Sequence, residues 1–155
     1  MGSRKKYFPQ RTVSPAPLVV TTTRRVRFEE VDALGMVWHG RYPSYFEDGR
    51  IAFGDRYGLS YQSFMENKTV APIVQMHFDY HLPLRFDEHF SIVTTLHWSD
   101  ALRLNFSYLL CNQADNTIAE GYTVQLLTEP SGNLLFFAPR WLEEFREKWK
   151  DGAWS

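Results

Sequence analysis

The sequence predicts an α+β fold in which one curved antiparallel sheet covers a single buried helix. Three observations predict it. Apolar residues recur with a helical period over residues 42–57, then with a period of two over several segments between residues 70 and 128. The spacers between those later segments are short, as hairpins require. No alternation of strands and helices runs along the chain, which argues against a doubly wound parallel sheet.

Each element follows from local chemistry. Residues 1–20 contain Pro9, Pro15 and Pro17 and show little period, so they read as an extended, basic leader ahead of one domain over residues 21–150. Val20 to Phe28, "VTTTRRVRF", is rich in β-formers and predicts a strand with Val26 and Phe28 on one face. Next comes a helix. Tyr42, Tyr45, Phe46, Gly49, Ala52, Phe53 and Tyr57 fall at helical spacing, Pro43 suits the first turn, and Gly58 suits the end. Gly49 and Gly54 each weaken a helix by up to about 1 kcal/mol relative to alanine, which points to close approach by another backbone. "SYQSFMEN" predicts a further short helical turn.

The alternating segments follow. Val70 to Tyr80, Phe90 to Trp98, Leu102 to Leu110 and about 116 to 128 read as strands, with "SDAL" and "QADN" as hairpin turns. "EPSGN" is a turn, and "LLFFA" reads as a short last strand. Pro139 opens a terminal amphipathic helix, "RWLEEFREKWK", with Trp141, Leu142, Phe145 and Trp149 on one stripe.

Composition narrows the function classes. With 155 residues, 44% hydrophobic and 23% charged, the chain suits one globular domain with a sizeable core. Aromatics make up 16%. The net charge is −1, so no nucleic-acid partner is expected, although residues 1–28 carry seven basic residues and no acid. Cys111 is the single cysteine, which excludes an internal disulfide and fits a reducing, cytoplasmic setting. No apolar run approaches the ~18 residues of a membrane span, and the amino terminus lacks a secretory pattern.

Several chemistries lack their residues. On strands, His77 and His81 stand roughly 13 Å apart, and His89 and His97 roughly 27 Å apart, at ~3.3 Å per residue. Neither pair can share one zinc at ~2.1 Å bonds, so no metal is expected. There is no Gly-x-Ser-x-Gly elbow and no glycine-rich phosphate loop.

One carboxylate stands out. Asp32 lies in "EVDALGMVWHG", an unusually apolar loop just ahead of the predicted helix. It fits the ordinary role of a loop acid in an Asx turn or cap. It also fits a catalytic role, because free N–H groups at a helix start polarise a carbonyl oxygen that a nearby carboxylate, or a water it activates, could attack.

The residue order adds to this. Arg27, Phe28, Asp32, Gly35, Met36, Val37, Trp38, His39, Tyr42, Phe46, Glu47 and Arg50 stand in a pattern that resembles the amino-terminal signature of hotdog-fold acyl-CoA thioesterases of the 4-hydroxybenzoyl-CoA thioesterase branch. "PIVQMHFDYHLPLRFDEHFSIVT" and "IAEGYTVQLLTEPSGNLLFFAP" resemble later blocks of that family, and the likeness spans about residues 22–147. One departure is Glu30-Val31-Asp32, where the family often has Asp-Thr-Asp; Val31 offers no hydroxyl to orient Asp32.

The resemblance implies a hotdog fold and hydrolysis of an acyl-CoA, short, medium or aromatic, without a cofactor. It implies that Asp32 is the catalytic carboxylate, as nucleophile or general base, and that His39 marks the oxyanion site at the helix start. The His39 side chain would then contact substrate, orient Asp32 or simply pack on Trp38. Gly35, Val37, Trp38, Tyr42 and Tyr45 fall at the substrate, with core packing the competing role for the two tyrosines. Arg85, Arg103 and Arg140 are the candidates for the coenzyme A phosphates. A homo-oligomer, dimer or homotetramer, is implied because the family's sites lie between subunits. The alternative function is a hotdog module that binds or senses acyl-CoA without turning it over.

Overall fold

A computed structural model describes residues 7–154. Five strands form one sheet: β1 (Leu18–Arg25), β2 (Ile73–Tyr80), β3 (His89–His97), β4 (Arg103–Asn112) and β5 (Thr117–Leu126). Their order across the sheet is β1-β3-β4-β5-β2, and every neighbouring pair is antiparallel. The sheet wraps a 16-residue helix, α1 (Tyr42–Tyr57), preceded by 3-10 turns at Phe28–Glu30 and His39–Arg41. Two further helices, α2 (Tyr61–Glu66) and α3 (Arg140–Lys150), follow. The α+β architecture expected from the periodicity is the one observed.

α1 is held by one face: Tyr42, Tyr45, Phe46, Gly49, Phe53 and Tyr57 fall on a single buried stripe against the sheet, while Glu47, Ile51 and Asp55 face outward. Tyr45, Phe46 and Phe53 are fully buried. Phe46 stacks on Phe78 and Tyr108, with ring centroids 4.6 and 4.1 Å away, and Tyr45 meets Phe90 edge-on at 4.9 Å. A Cβ on Gly49 would fall on Thr94 Oγ1 and crowd Ile92, so the close approach there is to side chains of β3. Gly58 ends the helix in the left-handed region, its N–H donating to the Gly54 carbonyl at 2.8 Å. Beneath α1, Tyr108 OH pairs with Thr123 Oγ1 at 2.6 Å and accepts from Arg50 Nη1 at 2.9 Å.

The far face of the sheet is also partly covered. Tyr7 OH donates to Asp79 at 2.7 Å and its ring meets His77 and Tyr122, while Phe8 meets His97 and Tyr122. On the α1 side, Trp149 of α3 is part of the core and donates to the Ala16 carbonyl at 2.8 Å.

Three expectations are corrected. β1 begins at Leu18, so residues 18–20 belong to the sheet rather than to the leader. It ends at Arg25; Val26 is buried, but Phe28 turns outward in a 3-10 turn and is 78% exposed. "LLFFA" forms no strand. β5 is already flanked by β4 and β2, so no free edge remains beside it, and only a single bridge joins Leu134 to Thr128. Among the described residues, no helix is long and apolar enough to cross a membrane.

Candidate active site

The segment from Glu30 to Trp38 folds back on itself as a small hairpin. Val31 bridges Val37, and Trp38 N–H donates to the Glu30 carbonyl at 3.1 Å. The turn is closed by Gly35 N–H donating to the Asp32 carbonyl at 3.0 Å, with Gly35 at φ +76°, a conformation glycine adopts without strain. Asp32 Oδ1 accepts from Leu34 N–H at 2.9 Å and from Met36 N–H at 3.2 Å. The carboxylate thus forms an Asx turn, and within this chain Asp32 is exposed.

A second strip of chain holds the hairpin. Val37 N–H donates to the Leu84 carbonyl at 2.8 Å, Phe86 N–H to the Gly35 carbonyl at 3.0 Å, and Met36 bridges Arg85. The return arm of the hairpin then enters the His39–Arg41 turn, which passes directly into α1. The first N–H groups of such a segment have no intrahelical acceptor, and no acid occupies the first turn of α1. A carboxylate on one arm and a helix amino terminus at the end of the other are therefore set by one short hairpin.

The other predicted residues divide. Val37 is buried, while Trp38 is half-exposed and meets the His39 ring at a tilt, with centroids 5.0 Å apart. Among the described residues no hydrogen bond or ion pair joins His39 to Asp32; the imidazole lies against Trp38, and the His39 carbonyl accepts from Tyr80 OH at 3.1 Å. Tyr42 and Tyr45 are core residues, 3% and 0% exposed. Burial, followed by the charge of Tyr80, pushes the Tyr42 phenol up to about 12. Burial likewise raises the Tyr45 phenol.

The three arginines are not brought together. Arg85 adjoins the hairpin through Met36. Arg103 starts β4, whose pairing with β3 sets it two residues beyond His97, at the opposite end from His89 and hence roughly 33 Å along the strand from the hairpin end at ~3.3 Å per residue. Arg140 opens α3, pairs with Glu144 and is 91% exposed. α3 docks at that same remote end, where Arg146 donates to the carbonyls of Ser99 and Ala101. Sequence position alone does not reveal which end of a strand faces the loop.

Glu30 was missed. It is 3% exposed, accepting from Arg24 Nη2 at 2.7 Å and from Arg27 N–H at 2.8 Å. Arg24 also pairs with Asp48 of α1 and lies over the Tyr45 ring. The available signal was the spacing Arg27-x-x-Glu30, in which an acid at the third helical position reaches back to the N-cap amide.

Exposed apolar groups surround the hairpin. Leu34 is 74% exposed, and Phe86, Leu82 and Tyr80 are about half-exposed. β2, nearby, is the last strand of the sheet, and Ile73, Val74 and Met76 on it are also exposed.

Known proteins resemble this chain in sequence and in fold. Escherichia coli YbgC, named as an acyl-CoA thioester hydrolase, is 24% identical over 106 residues, 68% of this chain and 79% of its own. A hypothetical protein of Thermus thermophilus superposes with a TM-score of 0.74 at 26% identity, covering 85% of this chain and 98% of its own. The DHNA-CoA thioesterase of Staphylococcus aureus shares the fold, with a TM-score of 0.74 at 20% identity over 83% of this chain and 89% of its own. The model of the thioesterase-like superfamily matches residues 26–149, and the chain belongs to that superfamily.

Proposed function

We propose that this protein hydrolyses acyl-CoA thioesters, with Asp32 as the carboxylate that acts on the thioester carbonyl. The observation that carries the reading is the placement of Asp32. Two main-chain N–H groups hold one of its oxygens, and the same hairpin leads into the helix start where amides are available for an oxyanion. The activity named for YbgC supports the choice of substrate class.

Two courses fit this arrangement. As nucleophile, Asp32 adds to the carbonyl carbon, the C–S bond breaks, coenzyme A leaves as thiolate, and water cleaves the resulting anhydride. As general base, Asp32 takes a proton from water as its oxygen adds to the carbonyl, and the departing thiolate is then protonated. Both use side chains and water alone. Trp38, Leu34 and Phe86 offer apolar surface for a short, medium or aromatic acyl group, and Arg85 offers a cation for the coenzyme phosphates.

An exposed carboxylate is poorly placed to exclude water, and a second copy remedies that. The apolar side chains about the hairpin and the unpaired edge of β2 are surfaces that a homo-oligomer would bury. One observation favours the competing reading, acyl-CoA binding without turnover: Asp32 Oδ1 already serves its own loop.

Release of free thiol from a panel of acyl-CoA esters, with wild type beside Asp32→Asn, separates these readings. Hydrolysis by wild type and a loss of at least a hundredfold in the variant is the expected result. Equal rates remove Asp32 from the chemistry, and binding by both without thiol release favours the binding module.

A further inference from the structure

We propose that Glu30 is the positioning residue for Asp32, fixing where the hairpin stands relative to α1. This rests on the reading of Asp32 given above. Glu30 is the first residue of the hairpin, and both its side chain and its main chain are committed there. Its carbonyl accepts the Trp38 N–H and so ties the two arms at their base. Its carboxylate, almost wholly buried, binds the Arg27 N–H and the Arg24 guanidinium.

Arg24 carries the connection onward. It stands near the end of β1, pairs with Asp48 in α1, and lies 4.8 Å from the Tyr45 ring centroid. The chain of contacts Glu30–Arg24–Asp48 therefore runs from the hairpin base through the sheet to the helix. A buried carboxylate is tolerated only when paired and hydrogen-bonded, so this group has strong reason to stay where it is. Asp32 lies two residues farther along the same arm. Displacing the hairpin by a fraction of an ångström moves the carboxylate relative to the helix start, and catalytic rates are sensitive on that scale.

Glu30→Gln keeps the side-chain shape and an acceptor for Arg27 N–H but removes the charge that holds Arg24. Turnover and thermal melting are measured together, well below the melting temperature, with Asp32→Asn in parallel. The expected result is a fall in kcat of ten- to a hundredfold with KM changed less than threefold. Glu30→Asp, which restores the charge, recovers part of the rate. A residue serving stability alone would lower the melting temperature and leave kcat unchanged, and that outcome overturns the proposal while Asp32 stands. Full turnover by Asp32→Asn overturns the reading of Asp32 itself, and this proposal with it. If Glu30→Gln does not fold, Arg24→Lys decides the matter. It keeps the charge and loses the fork that spans two carboxylates, so a several-fold drop in kcat supports the proposal and an unchanged kcat refutes it.

Discussion

Asp32 and Met36 are joined twice. The Asp32 N–H donates to the Met36 carbonyl at 2.7 Å, and the Met36 N–H donates to Asp32 Oδ1 at 3.2 Å. The residue proposed to act on substrate is thus also a structural member of its own loop. The two roles are separable by substitution. Asn keeps an oxygen acceptor for Leu34 and Met36, so Asp32→Asn should unfold within about 0.5 kcal/mol of wild type. Ala removes both bonds, and Asp32→Ala should cost about 1–3 kcal/mol more, because each bond is worth about 0.5–1.5 kcal/mol. Urea titration of both variants measures this, while thiol release should be lost in both.

Beneath the helix, the hydroxyl of Tyr108 is the shared partner of Thr123 and Arg50. Tyr108→Phe leaves a fully buried threonine hydroxyl and a half-buried guanidinium without it. A loss of about 1–3 kcal/mol is expected from denaturant melts, with little change in the slope of the transition.

Acid and alkali should each destabilise the fold through identifiable groups. Burial lowers the pKa of His97 from its ordinary 6.5. The folded state therefore binds fewer protons than the unfolded chain below that value, and stability falls as pH drops through about 6.5. His97→Gln keeps a partner for Ser107 and should flatten the acid limb of a plot of melting temperature against pH. Tyr42 has the opposite sense. Its phenol, ordinarily at 10.0 and raised to about 12, favours the folded state below pH 10, and that contribution disappears as pH rises from 10 to 12.

If a second copy covers the outer edge of β2, a charge there should weaken assembly. Val74 is 51% exposed on that strand. Val74→Lys should shift the mass measured by sedimentation toward the single chain at micromolar concentration, with the melting transition of the monomer preserved. An unchanged mass would assign assembly to another surface.

Most of the fold was legible because periodicity and local stops agree. Pro43 and Gly58 bracket α1, and Leu142, Phe145 and Trp149 mark the buried stripe of α3. What was not legible depends on neighbours distant in sequence. "LLFFA" has strand composition, yet Phe136 and Phe137 are 88% and 87% exposed because β5 had no free side to offer. Arg103 and Arg140 are ordinary cations until the strand order sends them to the remote end of the sheet. Glu30 is not singled out by the sequence reading; its burial depends on Arg24 and on the return of the chain at Trp38. The apolar loop around Asp32 was legible as an anomaly, and the hairpin accounts for it: Val31 and Val37 pair, while Leu34 and Trp38 stay outside.

The contact at Gly49 limits where an acyl chain can go. With no side chain there, the helix rests directly on Thr94 and Ile92, and Tyr45, Phe46 and Phe53, on the same face, are buried against the sheet. A side chain at position 49 would have to displace Thr94 and Ile92 or lift α1 from β3. On the function proposed above, the apolar surface open to an acyl group lies away from this packed face, at Leu34, Trp38 and Phe86. Selectivity can therefore be retuned by changing surface residues such as Leu34 or Phe86 without disturbing the packing that keeps the protein folded.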